Sequence, residues 1–61
     1  MAVYKRFRYK TYRMSTSQVI VLVFKKYGKI ARWKFAVNGW LPEKEIRATI
    51  ENALDDISSL V

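Results

Sequence analysis

The sequence predicts an α+β fold in which a three-stranded antiparallel β-meander packs on one C-terminal α-helix. Three observations predict it: a short, wholly apolar run in the middle of the chain, polar/apolar alternation on both sides of that run, and apolar residues at helical spacing after Pro42. The predicted strands and helix lie at about 3–13, 17–26, 30–37 and 42–60. Sixty-one residues are enough for one small domain, 1–61.

The apolar run VIVLVF at 19–24 is predicted to form the central strand. Four of its six residues are β-branched and one is aromatic, which suits a pleated surface. A helix over residues 16–27 is the alternative, with Ser15 and Gln18 as a capping box and Gly28 after its last turn. Such a helix would be apolar on every side, and a chain of this size has too little core to surround it.

The two flanking segments alternate with a period of two, which is typical of half-buried strands. A first turn at Ser15-Thr16 and a second at Tyr27-Gly28 would pair Phe7 with Phe24 and Leu22 with Trp33. The opposite face would then be cationic, with the stems of Arg and Lys covering a valine floor at 19, 21 and 23.

The helix is predicted from Pro42 at its first position and from the acids Glu43 and Glu45 in its first turn. Its apolar residues recur every three or four positions and form one stripe, which Val61 extends. This stripe should lie on the apolar sheet face. The predicted core between sheet and helix is Leu22, Phe24, Trp33, Phe35, Ile46, Ile50, Leu54 and Ile57.

The strongest functional signal in the sequence is the interleaving of basic and aromatic residues from Tyr4 to Tyr12, within an unevenly charged chain. The net charge is +7, but residues 1–42 contain ten Lys or Arg and no acid, whereas residues 43–61 contain two bases and five acids. A surface selected only for solubility would mix the two signs, so the pattern predicts a polyanionic partner, either DNA or structured RNA. The predicted nucleic-acid-binding residues are Lys5, Arg6, Arg8, Lys10, Tyr12, Lys25, Lys26, Lys29, Arg32 and Lys34.

Catalytic, cofactor and metal chemistry are not predicted. The chain has no His and no Cys, its acids have no acid–base spacing, and its two glycines form no phosphate-binding loop. We therefore expect a non-enzymatic protein without cofactor, metal or small-molecule substrate. No segment is long enough to cross a membrane, and the lack of Cys favours a cytoplasmic, intracellular setting.

The predicted order is three strands and then a helix, and Gly39-Trp40-Leu41-Pro42-Glu43 joins the last strand to the helix. This order resembles that of small DNA-binding domains from plant transcription factors and phage integrase amino termini. The resemblance is one of topology, and it implies a sheet that lies in the major groove. Chromatin, transcription or ribosomal roles all fit the charge, as does a homodimer or a larger ribonucleoprotein assembly. Two alternatives remain: a dimeric ribbon-helix-helix regulator, and a module that binds proteins or anionic membrane surfaces.

Overall fold

The computed structural model describes residues 1–60, and it has four strands and one helix in a single α+β unit. The elements are β1 (Ala2–Tyr4), β2 (Phe7–Ser15), β3 (Gln18–Lys25), β4 (Trp33–Asn38) and α1 (Glu43–Leu60). The strands form one antiparallel sheet in the order β1-β2-β3-β4. The fold class is confirmed, but the sheet has four strands and not three. Val61, predicted to extend the helix stripe, lies outside the described residues.

The additional strand arises because the segment predicted as one strand at about 3–13 is a hairpin. Tyr4 pairs with Phe7, so only Lys5 and Arg6 form the turn. Lys5 has a φ of 54°, the left-handed region in which a non-glycine residue is strained. A turn without Gly, Pro, Asn or Asp carries no sequence signal, and the alternation continues through it.

The predicted register of β3 is wrong by one residue on both sides. Phe7 pairs with Lys25 and not with Phe24, while Trp33 pairs with Val23 and not with Leu22. Because neighbouring residues of a strand point to opposite faces, this shift reverses β3. Its valines lie under the helix, and Ile20, Leu22 and Phe24 lie on the opposite side.

Two loop geometries cause the shift. The β2–β3 turn consists of Thr16 and Ser17, and β2 carries a bulge between Arg13 and Ser15. The β3–β4 connection spans residues 26–32, where a two-residue turn was predicted. Since β3 is apolar on both parities, its own sequence could not decide which face the helix covers.

The core lies between the helix and one face of the sheet. Its buried residues are Phe7, Tyr9, Val19, Val21, Val23, Val37, Ile46, Ile50 and Leu54. The predicted core positions Ile46, Ile50 and Leu54 are confirmed, and Trp33, Phe35 and Ile57 pack against them while partly buried. Leu22 and Phe24 were wrongly predicted. Val23 lies between Tyr9 and Trp33 on this face, and Val21 lies beside Phe35. Large and small side chains thus alternate there, which fills a core without strain.

The helix begins at Glu43, one residue after Pro42, which was predicted as its first position. The backbone N–H groups of Glu45 and Ile46 donate to Pro42 O at 2.9 and 3.0 Å, and the acids of the first turn face the positive end of the helix dipole. The helical alternative for residues 16–27 is wrong, since Gln18–Lys25 is a strand.

Gly39 allows the chain to pass from β4 towards the helix, so Gly39→Ala should destabilise the fold. A Cβ at this position would lie 2.9 Å from Thr16 O and 3.0 Å from Gln18 N, both backbone atoms of the β2–β3 turn region. We expect the free energy of unfolding to fall by about 1–3 kcal/mol, the usual effect of forcing extra volume into a packed site. Urea denaturation measures it. Gly28→Ala is the control, because its Cβ would meet nothing closer than 3.4 Å; equal losses in both variants would contradict the packing described for Gly39.

Candidate functional site

The sheet face that the helix leaves uncovered is here named the open face. Two residues that pair across neighbouring strands lie on the same face of the sheet, so the pairing identifies the residues of the open face. They are Val3, Arg8, Lys10, Tyr12, Gln18, Ile20, Leu22, Phe24, Lys34, Ala36 and Asn38. No acid belongs to this set, because the first acid of the chain is Glu43.

An apolar strip, made of Ile20, Leu22 and Phe24, runs along the middle of the open face. All three side chains are half-buried. Lys10 and Lys34 flank Leu22 from the two neighbouring strands, and both are exposed. Lysine stems can lie along apolar neighbours while their ammonium groups stay in water, so this arrangement partly covers the strip and keeps both charges accessible.

Beside the row of Lys10, Leu22 and Lys34, the next row of paired residues has the aromatic Tyr12 on β2 in place of a lysine. Tyr12 of β2 pairs with Ile20 of β3, which pairs with Ala36 of β4. The Tyr12 side chain is 46% exposed, and the small Ala36 lies on the same face beyond Ile20. Tyr12 can therefore offer both a ring for stacking and a hydroxyl for hydrogen bonding.

Arg8 lies on the open face as predicted, but it is engaged in the fold. Its guanidinium lies 6.0 Å from the Phe24 ring centroid and donates through Nη2 to the carbonyl oxygen of Gly28. The side chain is half-buried, and its Nε is buried without a hydrogen-bond partner among the described residues. Arg8 thus anchors the 26–32 connection to the sheet, and the expectation of a freely solvated phosphate donor does not fit this geometry.

Because Arg8 holds Gly28, the 26–32 connection borders the open face. It carries Lys26, Lys29 and Arg32, and all three side chains are exposed. Lys25 differs from them: it pairs with Phe7, which places it on the helix side of the sheet. The cations of the 26–32 connection therefore lie at the edge of the open face, whereas Lys25 lies on the helix side of the sheet.

Lys5 and Arg6 are also not on the open face, because the β1–β2 turn brings both to the helix. Lys5 Nζ forms an ion pair with Asp55 at 2.6 Å, and Arg6 donates to Ser58 Oγ at 3.2 Å. The Tyr4 hydroxyl donates to the same carboxylate, at 3.2 and 3.3 Å from its two oxygens. These cations lie near the C-terminal end of the helix, whose last turn has no base of its own, and they favour that negative end of the dipole.

The same contacts shift three pKa values. The hydrogen bond from Lys5, with that from Tyr4, lowers the pKa of Asp55, and the partner carboxylate raises the pKa of Lys5. Desolvation, followed by the hydrogen bond to Asp55, raises the pKa of Tyr4. The unusual position of an acid near a helix C-terminus is thus explained by a cation from a distant turn.

Asp55→Asn should lower the melting temperature at neutral pH, because it removes the charge that Lys5 and Tyr4 face. A carboxylate whose pKa is lowered by folding stabilises the fold above its unfolded pKa, and this contribution is lost as the pH falls through the folded pKa. The difference between parent and variant should therefore be constant from pH 5 to 8 and shrink below about pH 3.8, the ordinary pKa of this group. Thermal unfolding at several pH values measures it. Asp56→Asn is the control, since the exposed Asp56 makes no ion pair among the described residues; a pH-independent difference would contradict the ion pair.

Residues 1–60 contain no group of three acidic, His or Cys side chains placed to hold a metal ion. Within the same residues, no helix has both the length and the apolar character needed to span a membrane.

The apolar strip on the open face is the part of the site that sequence reasoning missed, because the one-residue register error assigned it to the core. The predicted residues that the structure brings together there are Lys10, Tyr12 and Lys34, with Arg8 beside them in a structural role.

Comparison of the chain with protein-family models, with curated proteins and with solved structures gives no match in any of the three.

Proposed function

We propose that this protein binds nucleic acid through the open face, without catalysis. The observation that carries the proposal is the placement of Lys10 and Lys34 on either side of the apolar strip, on a face without any acid. Phosphate contacts supply most of the affinity of such proteins, and cations that remain solvated are the ones able to displace counterions.

The spacing of the two lysines favours a duplex. They lie on β2 and β4, with β3 between them, so their backbones are about 10 Å apart at the usual strand spacing. Grooves of B-form DNA are about 6 and 12 Å wide, and phosphates line both edges. Two lysines at that separation can reach phosphates of opposite strands while Tyr12 and the strip face the groove between them.

The test compares the affinity of the parent with that of two double variants, by fluorescence anisotropy at fixed salt. Lys10→Gln/Lys34→Gln removes the flanking charges of the open face. Lys44→Gln/Arg47→Gln removes the same net charge from exposed positions of the helix. Duplex DNA, single-stranded DNA and folded RNA are measured in parallel.

We expect the open-face variant to lose affinity for duplex DNA and the helix variant to stay within a few-fold of the parent. Equal losses in both would show that only net charge matters, and unchanged binding by the open-face variant would overturn the proposal. Stronger binding to folded RNA than to duplex DNA would assign the same face to RNA.

A second candidate is association of two copies through their open faces, which the apolar strip and the 62% exposed Val3 favour. Packing two such faces together would bring Lys10 and Lys34 of both copies close to one another, so like charges would oppose it at low salt. Self-association should then strengthen with salt, whereas nucleic-acid binding should weaken. Sedimentation velocity at two salt concentrations separates the two functions.

A further inference from the structure

A cleft of about 430 Å³ opens on the helix side of the sheet, at the end of β3. Its walls include Arg6, Phe7, Lys25, Lys26, Tyr27 and Trp33. The volume lies within the range of small-ligand sites. None of the open-face residues and none of the described helix residues lines it, and it adjoins that face only through the 26–32 connection, which supplies Lys26 and Tyr27.

The sheet topology leaves this corner uncovered. Phe7 and Lys25 form the last pair of β2 and β3, while β4 begins at Trp33, opposite Val23. The chain then turns away at once, since Gly28 N donates to Lys25 O at 3.0 Å. The C-terminal part of the helix is held towards the β1 edge of the sheet by its contacts with Lys5 and Arg6.

Aromatic rings form the apolar part of the cleft. Phe7 and Trp33 meet edge to face, with ring centroids 5.5 Å apart and planes at 89°. Phe7 is buried, whereas Trp33 keeps part of its indole accessible. Tyr27 is 87% exposed, so its ring is available to contact a bound molecule. Ring faces and edges at right angles to one another can pack against a planar aromatic ligand by stacking and edge contacts.

Three cations complete the walls of the cleft. Lys25 is the last residue of β3, and Lys26 follows it in the turn. Arg6 is held in place by its hydrogen bond to Ser58 Oγ. That bond engages one of the five N–H donors of the guanidinium. Among residues 1–60, no acid lines the cleft, and Asp55 is directed to Lys5 and Tyr4. An arginine and two lysines beside aromatic rings match a ligand that is both planar and phosphorylated.

We infer that this cleft binds a nucleotide, with its base against Trp33 and Tyr27 and its phosphate among Arg6, Lys25 and Lys26. A free mononucleotide and an unpaired nucleotide of a strand share this chemistry. For the strand, the inference rests on the proposed function and adds a place for a base that is not in a duplex.

Trp33 reports directly on the cleft. In a Trp40→Phe background it is the only tryptophan of the chain, and Trp40 is 71% exposed, so that change should leave the fold intact. Adenosine monophosphate is titrated against adenosine alone and ribose phosphate alone. We expect saturable quenching of Trp33 by the complete nucleotide, and at least tenfold weaker responses to either part.

Strand and mononucleotide are distinguished in a second arm, with a single-stranded oligonucleotide and a blunt duplex of equal length. Quenching by the single strand and by the mononucleotide assigns the cleft to any nucleotide. Quenching by the single strand alone assigns it to strands. No quenching by either at millimolar concentration overturns the inference.

Matched variants locate the response. Lys25→Gln and Lys26→Gln should each weaken the quenching several-fold, whereas Lys44→Gln on the helix should leave it unchanged. Circular dichroism verifies that each variant is folded. Equal weakening by all three would overturn the inference. Lys10→Gln/Lys34→Gln should leave the mononucleotide response intact, so failure of the open-face proposal and failure of the cleft are separate results.

Discussion

Replacing Leu54 by alanine is expected to lower the free energy of unfolding by about 2–5 kcal/mol, the range for truncating a buried leucine. Leu54 is 0% exposed and belongs to the core together with Val21 and Val23, which are also completely buried. The cavity would form where the helix meets the centre of the sheet. A domain of this size has little stability to lose, so the variant should unfold at much lower urea concentration or be unfolded without it.

The matched control is Leu60→Ala, the same truncation in the same helix. Leu60 is 84% exposed, and a surface substitution usually changes stability by no more than about 0.5 kcal/mol. Urea denaturation followed by circular dichroism measures both variants. If Leu54→Ala and Leu60→Ala had the same midpoint, the helix would not pack on the sheet as described here.

The affinity for duplex DNA is expected to fall steeply with salt. Five exposed cations lie on or beside the open face, namely Lys10, Lys26, Lys29, Arg32 and Lys34. If each neutralises one phosphate, log affinity should fall against log salt with a slope of about −4.5. Arg8 is left out of this number because it is engaged with Gly28.

The Lys10→Gln/Lys34→Gln variant should have a shallower slope, of about −2.7, because two phosphate contacts are removed. At about 0.1 M salt the same relation predicts a loss of affinity of roughly 10- to 100-fold. Anisotropy titrations at four or more salt concentrations measure both slopes. A parent slope near zero would contradict phosphate-dominated binding, and identical slopes would place the contacts elsewhere on the protein.

Local patterns in the sequence predict much of the fold. The helix follows from Pro42 and from a single stripe of apolar residues, and the faces of β2 and β4 follow from alternation. The orientation of β3 could not be predicted because both of its faces are apolar. The bulge before Ser15 and the length of the 26–32 connection determine which face of β3 the helix covers. The amino-acid composition predicts neither feature.

The sequence predicts only part of the candidate site, because local patterns do not show which distant residues a cation contacts. Alternation places Lys10, Tyr12 and Lys34 on one face, and the structure does the same. Which cations stay free depends on partners far away in sequence: Lys5 meets Asp55, 50 residues later, and Arg8 meets Gly28, 20 residues later. Charge counting cannot distinguish a cation that binds a partner from one that holds the fold together.

The most direct test of the central claim is the methyl NMR spectrum of the protein with and without duplex DNA. Ile20 and Leu22 have methyl groups in the apolar strip of the open face, whereas Ile50 and Leu54 have theirs beneath the helix. If the open face binds the duplex, the methyl signals of Ile20 and Leu22 shift on titration and those of Ile50 and Leu54 stay in place. Shifts confined to helix residues, with the Ile20 and Leu22 signals unchanged at saturation, would contradict it.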